Sequence, residues 1–204
     1  MLKIAVLISG GGSNLQSIID NINSGYLKNC TIEYVISDRE NAYGIKRAKE
    51  NNIKTMVFDR KKYSKALSDE ILKVLKDKVN LIVLAGFTSI LNKSFIESFK
   101  NKIINIHPSL IPNFCGNGMY GIKVHEAAIN YGVKVSGCTV HFVDEGTDTG
   151  AIILQKTVSV YGEDSPEGLQ KRVLIEEHKA LPEAIKLISE DKIKIKGRLV
   201  YIKE

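Results

Sequence analysis

Two stretches, Lys3-Ile-Ala-Val-Leu-Ile-Ser9 and Asn80-Leu-Ile-Val-Leu-Ala85, are apolar at successive positions rather than alternate ones. Such runs suit strands buried on both faces, which occur mainly in parallel sheets covered by helices on each side. Between them the period changes. Leu15, Ile18, Ile19 and Ile22 recur at helical spacing, as do Leu67, Ile71, Leu72 and Leu75. The pattern predicts strands at 3–9, 31–37, 54–58, 80–85 and 103–107, with helices after Ser13 or Asn14 as cap and at 43–51, 63–76 and 94–99. Strand–helix alternation with right-handed crossovers gives an α/β, doubly wound, mostly parallel sheet. In such sheets ligands bind beyond the carboxyl ends of the strands. The loops at Gly10, Gly86 and His107 are all expected at such ends and are expected to line one crevice.

The second half is different. Residues 113–123 are a loop with three glycines, and 124–131 a helix. Two long β-rich segments, 134–143 and 152–160, flank an acidic loop and read as an antiparallel or mixed addition to the sheet. Ser165-Pro166 starts a long helix that runs towards Ser189 with Pro182 inside it. Residues 193–195 and 199–202 read as a closing hairpin. No repeat, low-complexity tract or Pro-rich linker divides the chain, so residues 1–204 are expected to be one domain: a parallel half, 1–107, and a second half, 108–204.

Of the bulk properties, hydrophobic content of 44% and charged content of 25% fit a folded globular chain of 204 residues. No apolar run approaches the roughly twenty residues that span a membrane. Met1 to Ser9 is too short for a signal peptide and fits a first strand. Cys30, Cys115 and Cys138 lack metal-like spacing and read as reduced thiols, so the chain is expected to be cytoplasmic. The net charge of +6 is spread along helix faces, which favours a solvated surface over nucleic-acid binding. No membrane partner is expected; a mild positive field would attract anionic substrates.

Three stretches carry chemistry. Gly10-Gly11-Gly12-Ser13-Asn14 lies between a strand and a helix, where backbone amides make an anion site. No Gly-Lys-Ser/Thr follows, and Leu15 replaces the third glycine of a dinucleotide fingerprint. Asp38, after the second strand, does mimic the ribose-binding acid of nicotinamide enzymes. Asn105 and His107 end the fifth strand, two residues apart and so on one face, before Pro108. Each also has a plain reading, as a satisfied buried amide and a hydrogen-bonded histidine. Asp148 closes the acidic loop Asp144-Glu145-Gly146-Thr147-Asp148. An amide, an imidazole and a carboxylate together form a set for proton transfer and oxyanion binding. His125 and His141 read as structural or as backing the site from behind, with His141 the one that could support it.

Asn105-x-His107-Pro108-Ser109-Leu110-x-Pro112, followed by His141-Phe142-Val143 and Asp148-x-Gly150, resembles the active site of the folate-dependent formyltransferases. With the Ser9-Gly-Gly-Gly-Ser-Asn14 loop, the likeness covers almost the whole chain. It implies the Rossmann-like formyltransferase fold with a long C-terminal helix. It also implies transfer of the formyl group of 10-formyltetrahydrofolate to the amine of 5-phosphoribosylglycinamide in de novo purine (IMP) biosynthesis. The amine attacks directly, through a tetrahedral oxyanion, without a covalent enzyme intermediate or a metal. The resemblance assigns Asn105, His107 and Asp148 to catalysis, with Asp148 raising the histidine pKa so that the charged form binds the oxyanion. It assigns Gly12, Ser13, Asn14 and Glu177 to the ribonucleotide. Lys65, Thr88, Ser89, Ile90, Leu91, Asn105, Asp144, Glu145, Gly146 and Thr147 fall to the folate. The family often has Met-Arg where Thr88-Ser89 stand, so an arginine contact is lost here. The glycine-rich stretch 113–121 departs from a shorter, proline-containing loop and is expected to be a flap over the folate tail. A monomer or homodimer is expected.

Two related enzymes remain as alternatives. Methionyl-tRNA formyltransferase and formyltetrahydrofolate deformylase are expected to carry additional domains for which this sequence has no room. A nicotinamide- or nucleotide-binding module fits the fold but leaves Asn105, His107 and Asp148 unexplained.

Overall fold

The computed structural model describes residues 1–203. Seven strands form one mostly parallel sheet in the order β3-β2-β1-β4-β5-β6-β7, and a separate hairpin pairs β8 with β9. The chain separates into two compact units, Met1–Asn105 and the part from Ile106 onward.

In the first unit, β1 (Leu2–Ile8), β2 (Cys30–Ser37), β3 (Thr55–Val57), β4 (Leu81–Leu84) and β5 (Ile103–His107, whose last two residues open the second unit) are paired in parallel. The two unbroken apolar runs are β1 and β4. Ile4 to Ile8 and Ile82 to Val83 are fully buried, as expected for strands covered on both faces. The helices are α1 (Ser13–Asn23), α2 (Tyr43–Glu50), α3 (Arg60–Tyr63), α4 (Leu67–Leu75) and α5 (Lys93–Ser98).

Two expectations are corrected here. The helix predicted over 63–76 is broken: α3 ends at Tyr63, a 3-10 turn covers Ser64–Ala66, and α4 begins at Leu67. The Asp59 side chain caps α3 by accepting from the Lys61 amide at 2.7 Å. Ser64, with φ 45°, then takes the chain out of the helical region. The apolar stripe that suggested one helix begins only at Leu67. The cap of α1 is Gly12 rather than Ser13 or Asn14, and no side chain caps that helix.

The second unit holds β6 (Val135–Phe142) and β7 (Ile152–Ser159), paired antiparallel. With them are α6 (Ile122–Tyr131), α7 (Pro166–Ser189) and the antiparallel hairpin of β8 (Ile193–Lys196) and β9 (Leu199–Ile202). Ser165 caps α7 by accepting from the Gly168 amide at 3.1 Å, and Pro166 occupies its first position. The helix continues for 24 residues through Pro182 and packs on both β6 and β7. Leu169, Val173, Ala180, Leu181, Ala184 and Ile185 supply its buried face.

Candidate active site

In the second unit two imidazoles converge on one carboxylate. His107 ends β5, His141 lies near the end of β6, and Asp148 stands in the loop that leads to β7. His107 Nδ1 is 3.6 Å from Asp148 Oδ2, and His141 Nε2 is 3.6 Å from Asp148 Oδ1. Both imidazoles are buried, at 4% and 2% exposure. The outer nitrogen of each ring meets a main-chain carbonyl: His107 Nε2 with Phe114 O at 2.9 Å, His141 Nδ1 with Phe142 O at 2.8 Å. A carbonyl oxygen only accepts, so both outer nitrogens carry hydrogen and both inner nitrogens face the carboxylate.

Asp148 itself has φ 57°, a left-handed conformation that turns the loop back towards β7. Its Oδ2 accepts from the Gly116 amide at 2.9 Å. Burial pushes this carboxyl up. The contact with His141, the Gly116 amide and the charge of His107 outweigh burial and leave it below the ordinary carboxylate range.

His107 departs from expectation. Burial is the largest influence and pulls it below the ordinary histidine value. The Phe114 carbonyl and the Asp148 charge oppose this, and the His141 charge adds to it. The carboxylate does favour the charged ring, as expected, but burial wins. His125, on α6 and only 1% exposed, is pushed down to about 4 by burial and then by the charge of His107. Its Nδ1 finds no hydrogen-bond partner among the described residues.

Around this cluster the acidic loop is folded on itself. Asp144 Oδ1 accepts from the Gly146 amide at 3.1 Å and the Thr149 hydroxyl at 2.5 Å. Its side chain is thereby used within the loop, and residues 144–147 are exposed. The Gly-rich stretch after Pro112 is tied to the cluster through Phe114 and Gly116 rather than lying apart from it. Glu177 is 8% exposed on α7. The Cys138 thiol on β6 is pushed up to about 12, first by burial and next by the charge of Glu177.

In the first unit, Gly12 (φ 70°) is packed against α2, where an added Cβ would lie 2.7 Å from the Gly44 Cα. Arg47, which sequence reasoning did not single out, donates from Nε to the Gly11 carbonyl at 2.9 Å and from Nη1 to Gln16 Oε1 at 3.2 Å. A guanidinium is thus fastened to the glycine turn. Ser13 is half-buried and Asn14 buried. The loop after β4 also holds its side chains locally. Ser89 Oγ donates to Asp38 Oδ2 at 2.5 Å, and the Thr88 amide donates to Ser9 Oγ at 2.8 Å. Arg39 and Arg60 both donate to Thr88 Oγ1, at 3.3 and 3.2 Å. Ile90 is 81% exposed, whereas Leu91 is buried. Lys65 is exposed on the 3-10 turn. Asn105 is half-buried in β5.

Neither Phe114 nor Gly116 could be found from residue type, because each acts through its main chain. His141 carried a signal, a histidine at the end of a buried strand, but nothing local paired it with Asp148.

The family model described as formyl transferase matches residues 2–185. A phosphoribosylglycinamide formyltransferase from Haemophilus influenzae is 43% identical over 205 aligned residues, covering 99% of this chain and 94% of that one. The chain is 38% identical to a trifunctional purine biosynthetic protein adenosine-3 from Chironomus tentans, of which it spans only 14%. A crystal structure of glycinamide ribonucleotide transformylase 1 from Symbiobacterium toebii superposes with a TM-score of 0.94 at 41% identity, covering 100% of this chain and 95% of that one.

Proposed function

The chain belongs to the formyl transferase family, and we propose that it transfers the formyl group of 10-formyltetrahydrofolate to the amine of 5-phosphoribosylglycinamide in purine biosynthesis. The near full-length likeness to a phosphoribosylglycinamide formyltransferase supports the acceptor. The observation that carries the chemistry is the pairing of the buried His107 ring with the half-buried Asp148 carboxylate, 3.6 Å between Nδ1 and Oδ2.

The folate supplies an activated formyl carbon; everything else falls to the chain. The amine must lose a proton as it attacks, and Asp148, ionised well below neutral pH, is the base. His107, neutral in the resting protein because of burial, receives that proton at Nδ1 and donates a hydrogen bond from it to the formyl oxygen as charge grows there. The proton leaves with the folate nitrogen when its bond to the formyl carbon breaks and the carbonyl reforms on the glycinamide amine. Asn105, two residues earlier on β5, is the second donor to that oxygen. The long Nδ1–Oδ2 separation suits a pair that tightens only when substrate is bound.

Glu177 is the proposed partner of the glycinamide amine, and its burial strengthens any such contact. Gly12, Ser13 and Asn14 are proposed to hold the phosphate. The absence of a side-chain cap on α1 leaves its first amides to an anion. For the folate, the exposed residues Asp144 to Thr147 are proposed to meet the pterin through main-chain groups other than the Gly146 amide, since the Asp144 side chain and that amide are spent on each other inside the loop. Lys65 and residues 88–91 complete the proposed folate contacts. The Thr88 and Ser89 side chains have local partners and the Thr88 amide is bound to Ser9 Oγ, so main-chain groups other than that amide would make those contacts.

The test follows tetrahydrofolate release with and without the ribonucleotide. Ribonucleotide-dependent release, reduced on the order of a hundredfold or more in His107→Ala, is the expected result. Release without the ribonucleotide would make the chain a hydrolase instead.

A further inference from the structure

Phe114 and Gly116 belong to no helix or strand, yet their main chains hold both members of the proton-transfer pair. The Phe114 carbonyl accepts from His107 Nε2 at 2.9 Å. The Gly116 amide donates to Asp148 Oδ2 at 2.9 Å, and that same oxygen is the one 3.6 Å from His107 Nδ1. Because a carbonyl cannot donate, Nε2 keeps its hydrogen in every protonation state that preserves the bond. The neutral ring is then the Nε2–H tautomer, and Nδ1 is the nitrogen whose proton comes and goes. We propose that Phe114–Gly116 is the positioning element of the pair: the Phe114 carbonyl assigns Nδ1 as the working nitrogen of His107, and the Gly116 amide aims Asp148 Oδ2 at it. This rests on reading His107 and Asp148 as the reacting groups.

The segment is built to hold that geometry. Both anchors have left-handed backbones, Phe114 at φ 49° and Gly116 at φ 93°. A phenylalanine there is costly, so its surroundings must hold it. The Ser109 hydroxyl donates to the Asn113 carbonyl at 2.5 Å, and Cys115 Sγ to the Pro112 carbonyl at 3.3 Å. The Phe114 ring meets Tyr131 of α6 edge-on, centroids 6.0 Å apart. The anchors are therefore secured on both sides. A ring held at Nε2 has one route for a proton, through Nδ1, and Asp148 stands on it. Besides Asp148, His141 is the titratable group whose charge acts on His107, and Nε2 itself meets the Phe114 carbonyl.

The experiment is nitrogen NMR of the imidazoles in protein labelled with 15N-histidine, above the histidine titrations and without substrate. The four histidines are few enough for His107 to be assigned by the signal lost in His107→Gln. The proposal expects hydrogen on Nε2 and a bare Nδ1. Gly116→Ala is the companion variant. Its added Cβ would meet nothing within 4 Å, so it acts only by straining a backbone at φ 93°. It should mix the two tautomers and lower kcat about 10- to 100-fold, with KM for the ribonucleotide changed by less than about threefold. Hydrogen on Nδ1 in the unaltered protein overturns the proposal. So does a Gly116→Ala protein with the same tautomer and the same kcat. If that variant does not fold, the spectrum of the unaltered protein decides. Full formyl transfer by His107→Gln would instead sink the catalytic reading while leaving the tautomer result intact, so the two failures are told apart.

Discussion

His107 and His141 address opposite oxygens of Asp148, each from 3.6 Å, and each gives its other ring nitrogen to a main-chain carbonyl. Neither ring can rotate away without losing that bond. With Oδ2 held by the Gly116 amide and a ring packed beside each oxygen, the carboxylate is confined from both sides, which is what the proposed base needs if it is to meet the attacking amine at one angle. Asp148→Asn keeps the shape but removes the charge and the basicity. Its kcat should fall on the order of 10³-fold with little change in KM. His141→Asn leaves Asp148 ionised but held from one side, and should cost about tenfold in kcat. Steady-state kinetics of the two variants beside His107→Ala checks the order; equal losses from both would remove the distinction between base and orienting group.

His125 makes stability depend on pH. Its value in the folded chain is about 4, below the ordinary 6.5 that the unfolded chain would have. Between those values the unfolded chain binds a proton that the folded one refuses, so stability is complete above pH 6.5 and declines towards pH 4. The depressed His107 acts in the same direction. Asp148, also depressed, contributes stability above its ordinary 3.8 that is lost as pH falls through its lower folded value. For His125 alone the decline amounts to about 2–3 kcal/mol. Urea denaturation at pH 7.5, 6, 5 and 4.5 should show this slope, and His125→Gln should flatten it; an unchanged slope in the variant would assign the dependence elsewhere.

What could be read from the residues was whatever local sequence decides. The bounds of β5 and the Ser165-Pro166 start of α7 are set by apolar pattern and capping chemistry within a few residues, and both match the structure. The cap of α1 was misread because Gly12 is left-handed where it passes Gly44, more than thirty positions away in the chain. The break at Ser64 was missed because nothing in a serine announces a positive φ. Residue type singled out His107 and Asp148, which the structure brings to 3.6 Å of each other, but it did not foretell the direction of the His107 shift. Burial decides it, and burial is a property of the folded chain. Arg47, Phe114 and Gly116 were invisible for a related reason: their contacts to Gly11, His107 and Asp148 involve main-chain groups.

Gly12 and Gly44 predict a second kind of defect. Gly12→Ala puts a methyl 2.7 Å from the Gly44 Cα, at a residue with φ 70°, so both space and backbone conformation oppose it. The turn must move away from α2, taking Gly11 off Arg47. A cost of about 1–3 kcal/mol in stability is expected. If this turn holds the phosphate, KM for the ribonucleotide should rise about tenfold or more while kcat at saturation changes little. Arg47→Lys, which keeps charge but loses the forked geometry, should give a milder rise in the same constant. A fall in kcat with unchanged KM would place the turn away from the ribonucleotide.

Thr139 fixes the turn that leads from His107 towards Phe114. It is fully buried on β6, donates to the Ser109 carbonyl at 2.6 Å and accepts from the Ile111 amide at 3.1 Å. Gln155 of β7 donates to the same hydroxyl at 2.9 Å and to the Ile111 carbonyl at 3.0 Å. Thr139→Val preserves volume but leaves two buried main-chain groups, the Ser109 carbonyl and the Ile111 amide, without this partner. The expected loss is about 1–3 kcal/mol, read as a lower urea midpoint with an unchanged slope. Gln155→Ala should lose less, because the hydroxyl still bridges Ser109 and Ile111. Since Ser109 also holds Asn113, next to Phe114, the valine variant should reach the chemistry as well. A fall in kcat of about three- to tenfold is expected, with KM for the ribonucleotide unaffected. A variant that lost stability yet kept kcat would mean that the turn supports the fold without setting the His107 ring.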